Sequence, residues 1–465
     1  MILENIHPVV RQVVAALSAS MVMFAIMFTW VFPAIVLSQM DLPGSPVTFT
    51  TEQAGWFASM SFLMTIPGCL VSGPLCEWVG PRRLMLSLTP VLCLTTALMG
   101  AASWRVIEEG VIPELLLIVT RILQAAVQAL ITPAISLYIY ELCDARRRGT
   151  MLSVQDCWST FSFPICYLAG CYLKWSTVAW LMSLVTFVPT FIGLLVSPES
   201  PTWLLKKGRN EDAYRSLTQL RCSVTEISEE LMVIKQTAHS DTRCWASLHV
   251  LRKRSNAFAM TVSTLILILK ELSGCSTLTI FIVKVFQMSG VGLDPCWSSV
   301  IVGLANAVFK GFACIIFYYS PRKPLLVVGN LVTAAGTASL GAFFYLQSSG
   351  EDVSRVSWLP LLGTVVFMIG YAGAVGPGSW IMSMEVLPGP VRYLGFSFGN
   401  AFFAATALLV SKTFENGEPA ITLHGVFWSY TAACFVYIIF TMMFVMETRG
   451  RSLKDIEEYW ESFNR

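Results

Sequence analysis

Long runs of apolar residues, nearly free of charge, alternate along the chain with short polar segments. A helix needs roughly 20 residues to cross the ~30 Å hydrocarbon core of a bilayer. Twelve stretches meet that need: 13–37, 54–76, 84–103, 115–138, 151–173, 176–197, 257–287, 298–318, 325–346, 358–387, 393–411 and 425–446. The pattern predicts an all-α membrane protein. Composition agrees, with 55% hydrophobic and 13% charged residues and a mean hydropathy of +0.65, where a soluble domain is about one quarter charged. The first stretch is longer than a signal-peptide core and no small-residue cleavage site follows it, so it reads as a retained helix with its start in the cytosol.

Cationic loops resist translocation, so Lys and Arg set the orientation. With the N-terminus inside, Arg82, Arg83, Arg146, Arg147, Arg148, Arg322, Lys323, Arg392, Arg449, Arg451 and Lys454 all fall in the cytosol, against only Arg105, Lys174, Arg355 and Lys412 outside. Both termini are then cytosolic. The expected organisation is an N-terminal six-helix half (1–197), a cytosolic linker (198–255), a C-terminal six-helix half (256–446) and a cytosolic tail (447–465). The formal charge of +2 argues for the lipid bilayer and a small molecule as partners, with no nucleic acid. Oligomeric state is not legible. The 13 cysteines lie mostly inside apolar helices and read as small core residues; Cys171 and Cys296, near two expected outer ends, are in position to pair, but sequence does not place their backbones.

The two halves repeat each other. Glu141 precedes Arg148 by seven residues, as Glu385 precedes Arg392; Gly-Pro-Arg-Arg at 80–83 matches Ser-Pro-Arg-Lys at 320–323, and Glu-Ser-Pro at 199–201 matches Glu-Thr-Arg at 447–449. The offsets are 244, 240 and 248. Two parallel six-helix repeats fit an alternating-access carrier with substrate held between them near the bilayer midplane.

Glu77-Trp-Val-Gly-Pro-Arg82-Arg83 resembles the loop between helices 2 and 3 of the major facilitator superfamily. Pro198-Glu-Ser-Pro-Thr-Trp-Leu-Leu205, Glu385 to Arg392, Gly376-Pro377 with Trp380, and Glu447-Thr-Arg-Gly450 narrow the resemblance to sugar porters. Val410-Ser-Lys-Thr-Phe414 and the Trp30 to Pro33 region are most similar to the arthropod trehalose-transporter-like branch. The resemblance implies a major facilitator fold of twelve helices and transport of trehalose or a hexose across the plasma membrane by alternating access. Helix 1 holds no Asp or Glu, where related proton symporters carry a carboxylate, so facilitated diffusion is the default. Glu271 or Asp156 in that role remains open.

The resemblance also assigns site residues. Glu77, Arg82, Arg83, Glu141, Arg148, Glu199, Glu385, Arg392 and Glu447 form a cytosolic gate, with Glu141 and Arg148 pairing with Arg392, Glu385 and Arg82 across the seam between the halves. For substrate, Asn306 and Trp380 match positions that hydrogen-bond and stack on sugar. The helix 7 pattern of two Gln, Ser-Gly and Asn instead reads Lys270-Glu271-Leu-Ser273-Gly274-Cys-Ser276. In helix 5 Gln155 and Asp156 stand at the Gln position, and Phe403 replaces an Asn of helix 11. Charges in mid-membrane cost about 2.5–3.5 kcal/mol each, so Lys270, Glu271, Lys310 and Asp156 are expected to face a watery cavity or pair, either Glu271 with Lys310 or Lys270 with an acid. Arg121 reads as structural or as the partner of an acid. Pro67-Gly68 and the Gly373 to Gly378 cluster are candidate hinges or sites of close packing.

His7, His239, His249 and His424 fall in loops or termini, and no metal, phosphate-loop or nucleophile pattern joins them, so no enzyme activity, metal or cofactor is expected. Two alternatives remain open: carriage of another solute such as an organic anion, for which Lys270 and Lys310 would supply contacts, and a sugar sensor that does not transport.

Overall fold

The computed structural model describes residues 8–40, 49–102, 113–143, 145–221, 227–228, 231–232, 253–289, 294–388, 391–416, 422–449, 456 and 458–460. Among them every regular element is helical. Ten helices are long and apolar enough to cross a bilayer. Crossings 1 to 4 are Pro8–Met40, Thr51–Val79, Pro81–Ala101 and Pro113–Leu142; crossing 6 is Trp175–Val196. Crossings 8, 9 and 12 are Pro295–Tyr319, Arg322–Ser348 and Leu423–Phe444. Crossing 5 is split into Ala145–Thr160 and Ser162–Tyr172, which keeps either piece below spanning length, and crossing 11 is Arg392–Asn416.

Two crossings are interrupted where the sequence predicts continuous helices. Crossing 7 runs Arg254–Leu272, stops at Ser273–Gly274, and resumes as Cys275–Ile280 and Ile282–Ser289. Gly274 has φ +82°, and a β-carbon there would stand 2.3 Å from the Tyr430 ring, so only glycine permits both the turn and the contact. Crossing 10 is Leu359–Gly370 and Gly376–Glu385, joined by a π-helical turn over Tyr371–Val375, which places an irregular segment at the Gly and Pro cluster. Crossing 2, by contrast, passes through Pro67 unbroken, and a β-carbon on Gly68 would fall 2.2 Å from that of Ala129, so Pro67-Gly68 is a close-packing site.

By internal contacts the chain forms two compact units. The first comprises residues 1–29, 67–162 and 176–246, with a core around Ile131, Ile135, Tyr138 and Leu142. The start of the expected linker docks on it as two short helices, Pro201–Lys206 and Asn210–Leu220. Trp203 donates its indole N–H to the Glu77 carbonyl at 3.0 Å, and Gln12 donates to the Leu220 carbonyl at 2.6 Å.

The second unit comprises residues 30–66, 163–175 and 247–465, so it includes parts of crossings 1, 2 and 5. Its core around Val375, Met382 and Tyr437 also takes in Ile456 and Trp460 of the tail. Trp460 is 1% exposed and donates to the Val386 carbonyl at 2.9 Å. In the same unit Cys171 and Cys296, the two cysteines that the sequence sets near outer helix ends, form a disulfide with Cα atoms 5.6 Å apart. The hydroxyl of Tyr167 donates to the Thr279 carbonyl at 2.9 Å, and Tyr172 meets Trp297 edge to face.

Candidate functional site

Broken helices expose backbone and side chains that a continuous helix would pack away, and in a membrane such breaks are tolerated where they are buried in protein or line a cavity. The second unit places the interruptions of crossings 7 and 10 together with crossing 11. At their junction the Lys270 ammonium lies 4.3 Å from the ring centroid of Phe403, 4.8 Å from that of Trp380 and 5.9 Å from that of Tyr371. Phe396 and Phe403 meet Trp380 edge to face at 5.8 and 5.3 Å. Trp30 and Ile66 pack against the same cluster.

Buried polar atoms lie beside this aromatic cluster. Glu271 is fully buried, and neither carboxylate oxygen has a hydrogen-bond partner at normal geometry, Ser276 being the donor nearest to engaging it. Lys270 and Ser276 are the groups that act on it most directly. The Thr277 hydroxyl and the phenol of Tyr430 are buried and lack hydrogen-bond partners at normal geometry. Asn306, in crossing 8, is 5% exposed. Lys310 lies half-buried one turn further along crossing 8. The expected Glu271–Lys310 ion pair does not form. Helical rise gives both residues the same depth but says nothing of the direction in which each side chain points. Tyr371 and Tyr430 were not singled out by sequence because neither belongs to a motif; their positions follow from the breaks at Gly274 and Gly376.

The first unit holds the remaining substrate candidates. Gln155 is 5% exposed with its amide oxygen unpartnered, and Asp156 is half-buried one residue on. Arg121 is buried and donates to the Thr29 carbonyl and to the Gln124 side-chain oxygen, each at 2.7 Å. Gln124 donates to the Thr96 hydroxyl at 2.9 Å, and Gln128 to the Thr29 hydroxyl. Arg121 thus donates to neutral acceptors in a network that ties crossings 1, 3 and 4 together.

The gate residues form two clasps of the same design. In the first unit Glu199 accepts the backbone N–H of Arg82 at 3.1 Å and lies 3.8 Å from the Arg83 guanidinium, while Ser200 donates its hydroxyl to Glu141. In the second, Glu447 accepts the backbone N–H groups of Arg322 and Lys323, both at 3.0 Å; Thr448 donates its hydroxyl to Glu385, which lies 3.6 Å from the Arg322 guanidinium. Arg82 spends its side chain on the Leu194 and Leu195 carbonyls at 2.8 Å. These contacts of Arg82, Glu141 and Glu385 lie within their own units. The side chains of Arg148 and Arg392 lie outside the described residues.

Burial separates the two clasps electrostatically. It pushes the Glu199 carboxyl above the ordinary glutamate value, against the pull of the Ser200 and Arg82 backbone N–H groups. Burial also acts to raise Glu447, but the N–H groups of Arg449, Lys323 and Arg322 together with the Arg322 charge outweigh it and hold that carboxyl low.

Residues 12–460 match the family model described as "Sugar (and other) transporter". The chain is 30% identical to a facilitated trehalose transporter of Culex quinquefasciatus over 96% of its own length and 85% of the relative's. A protein of the same description from Polypedilum vanderplanki is 29% identical over 96% and 87%. Of the Anopheles gambiae relative the chain spans only 55%, so it corresponds to about half of some relatives. The inward-open xylose transporter of E. coli superposes with a TM-score of 0.76 at 19% identity, covering 98% of this chain and 100% of that one. The same symporter bound to 6-bromo-6-deoxy-D-glucose gives 0.74 at 21%, over 98% and 100%. At such identities the structural match establishes the fold, that of the major facilitator superfamily.

Proposed function

Because this chain belongs to the sugar transporter family, we propose that it carries a neutral sugar, trehalose or a hexose, across the plasma membrane by alternating access. The observation that supports this reading most is the junction of crossings 7, 10 and 11, where the indole of Trp380 stands in a buried cluster with Phe396 and Phe403. Sugars offer apolar ring faces to indoles and hydroxyls to amides, and the reading takes Trp380 for the first and the buried Asn306 of crossing 8 for the second. Ser276, Lys270, Glu271 and Lys310 are further substrate-binding residues of the second unit in this reading, and Gln155 and Asp156 are those of the first. The six-plus-six division at the 198–255 linker, with both termini cytosolic, provides the two bodies of an alternating-access cycle. Glu77, Arg82, Arg83, Glu141, Arg148, Glu199, Glu385, Arg392 and Glu447 make up the cytosolic gate.

Crossing 1, Pro8–Met40, contains no acidic residue, which favours facilitated diffusion over proton coupling, in keeping with the names of the trehalose transporters it resembles. A second reading rests on the buried Lys270 ammonium, which would suit an organic anion. Uptake into proteoliposomes separates the readings. Saturable entry of labelled trehalose or glucose, unchanged by an imposed proton gradient, is expected. Uptake of organic anions with no sugar flux would favour the second reading, and sugar binding without flux would make the protein a sensor.

A further inference from the structure

We propose that Lys270 is a specificity-determining residue, whose ammonium covers the aromatic face that a sugar would use and must be displaced for a neutral sugar to bind. This rests on the reading of Trp380 and Asn306 as the sugar site. Lys270 is 2% exposed, and its ammonium stands 4.8 Å from the Trp380 ring centroid and 4.3 Å from that of Phe403. A cation attracted to a ring face and a sugar that stacks its C–H groups on that face compete for the same surface. The other approaches to Trp380 are restricted, since Phe396 and Phe403 meet it edge to face.

The neighbour of Lys270 strengthens the argument. Glu271 is fully buried, has no hydrogen-bond partner at normal geometry and feels Lys270 as its principal charge. Lys270 therefore balances Glu271 while lying on the rings. Displacement transfers the ammonium off the aromatic face at the cost of its contacts with the rings. A neutral sugar bears the whole cost of the transfer. An anionic substrate would recover part of it through its own charge.

Neutralising both positions isolates the effect without leaving an unbalanced buried carboxylate. The variant carrying Lys270→Gln and Glu271→Gln is expected to lower the KM for trehalose or glucose about tenfold, the loss of a competing interaction of roughly 1.4 kcal/mol. Lys270→Arg keeps both charge and ring contact and is expected to leave KM near that of the unmodified protein. If the unmodified protein carries sugar and the double variant shows the same or a higher KM, the proposal is overturned while the sugar reading stands. If sugar flux is absent in the unmodified protein but appears in the double variant, the proposal holds and the sugar reading of the native chain fails. Absence of sugar binding in both overturns the two together. A separate readout needs no variant: saturating trehalose is expected to increase acylation of Lys270 by a small membrane-permeant reagent, followed by mass spectrometry. Protection by trehalose, or no change, would contradict displacement.

Discussion

Glu447 accepts the backbone N–H of Arg322 at 3.0 Å. The first unit repeats the arrangement, with Glu199 on the N–H of Arg82 at 3.1 Å, and each clasp adds a neighbouring hydroxyl, Ser200 or Thr448, on a second glutamate. Both glutamates anchor the loop that opens crossing 3 or crossing 9, where Pro81 and Pro321 limit what the backbone itself can donate. Hydrogen bonds to charged acceptors are worth about 1.5–3 kcal/mol when buried. At neutral pH Glu447→Ala is therefore expected to lower the melting temperature of the purified protein more than Glu199→Ala, because burial disfavours the ionised Glu199 while the N–H groups around Glu447 favour its ionised form. Equal shifts would show that burial does not govern the clasp.

The clasps are also expected to titrate in a fixed order. Glu447 is held below its ordinary value of 4.5, so its contribution to stability is present above pH 4.5 and is lost as pH falls through the lowered value. Glu199 is raised above 4.5, so its contribution is complete below pH 4.5 and is lost as pH rises through the raised value. Carboxyl-carbon NMR of labelled glutamate, assigned with Glu199→Gln and Glu447→Gln, should find Glu199 protonating at the higher pH. The reverse order would contradict the burial argument.

The Cys171–Cys296 disulfide closes a sequence separation of 125 residues. Cross-links of that span contribute typically about 2–4 kcal/mol. Cys171→Ser, Cys296→Ser and reduction of the unmodified protein should each lower thermal stability by a similar amount, with no further effect of reductant on the variants. A reductant effect that persists in the Ser variants would place it elsewhere.

Trp460 should behave as a core residue although it lies in the C-terminal tail. Its ring is 1% exposed, meets Phe258 at 5.6 Å, and its N–H holds the Val386 carbonyl. Trp460→Ala is expected to cost about 3–5 kcal/mol, visible as a loss of stability in detergent. A shift no larger than that of an exposed substitution such as Lys207→Ala would mean that the tail is dispensable.

The clasps show how far the sequence carries. Offsets of 240 to 248 residues between matching motifs predicted a repeat, and Arg82–Glu199 with Arg322–Glu447 realises it in three dimensions. Partner choice was less legible. Spacing along a helix gives depth, which brought Glu271 and Lys310 to one level, but not the azimuth that keeps them apart. For Cys171 and Cys296 the sequence could name the pair from their position near outer ends but not decide the bond, which the backbone placement supplies. Crossing 7 read as one apolar run because the period of its side chains continues through Ser273-Gly274, while the positive φ and the Tyr430 ring that demand glycine belong to the tertiary structure. Trp460 was missed because its tail segment is too short and too charged to announce a buried face.

Counterflow tests the central claim most directly: proteoliposomes loaded with unlabelled trehalose are diluted into a trace of labelled trehalose, with no ion or pH gradient. An alternating-access carrier of this sugar that needs no coupled ion should accumulate label transiently above equilibrium, because each inward-facing site returns filled with unlabelled sugar. Label that rises only to equilibrium, or not at all, with trehalose and with every hexose tried, would contradict the account.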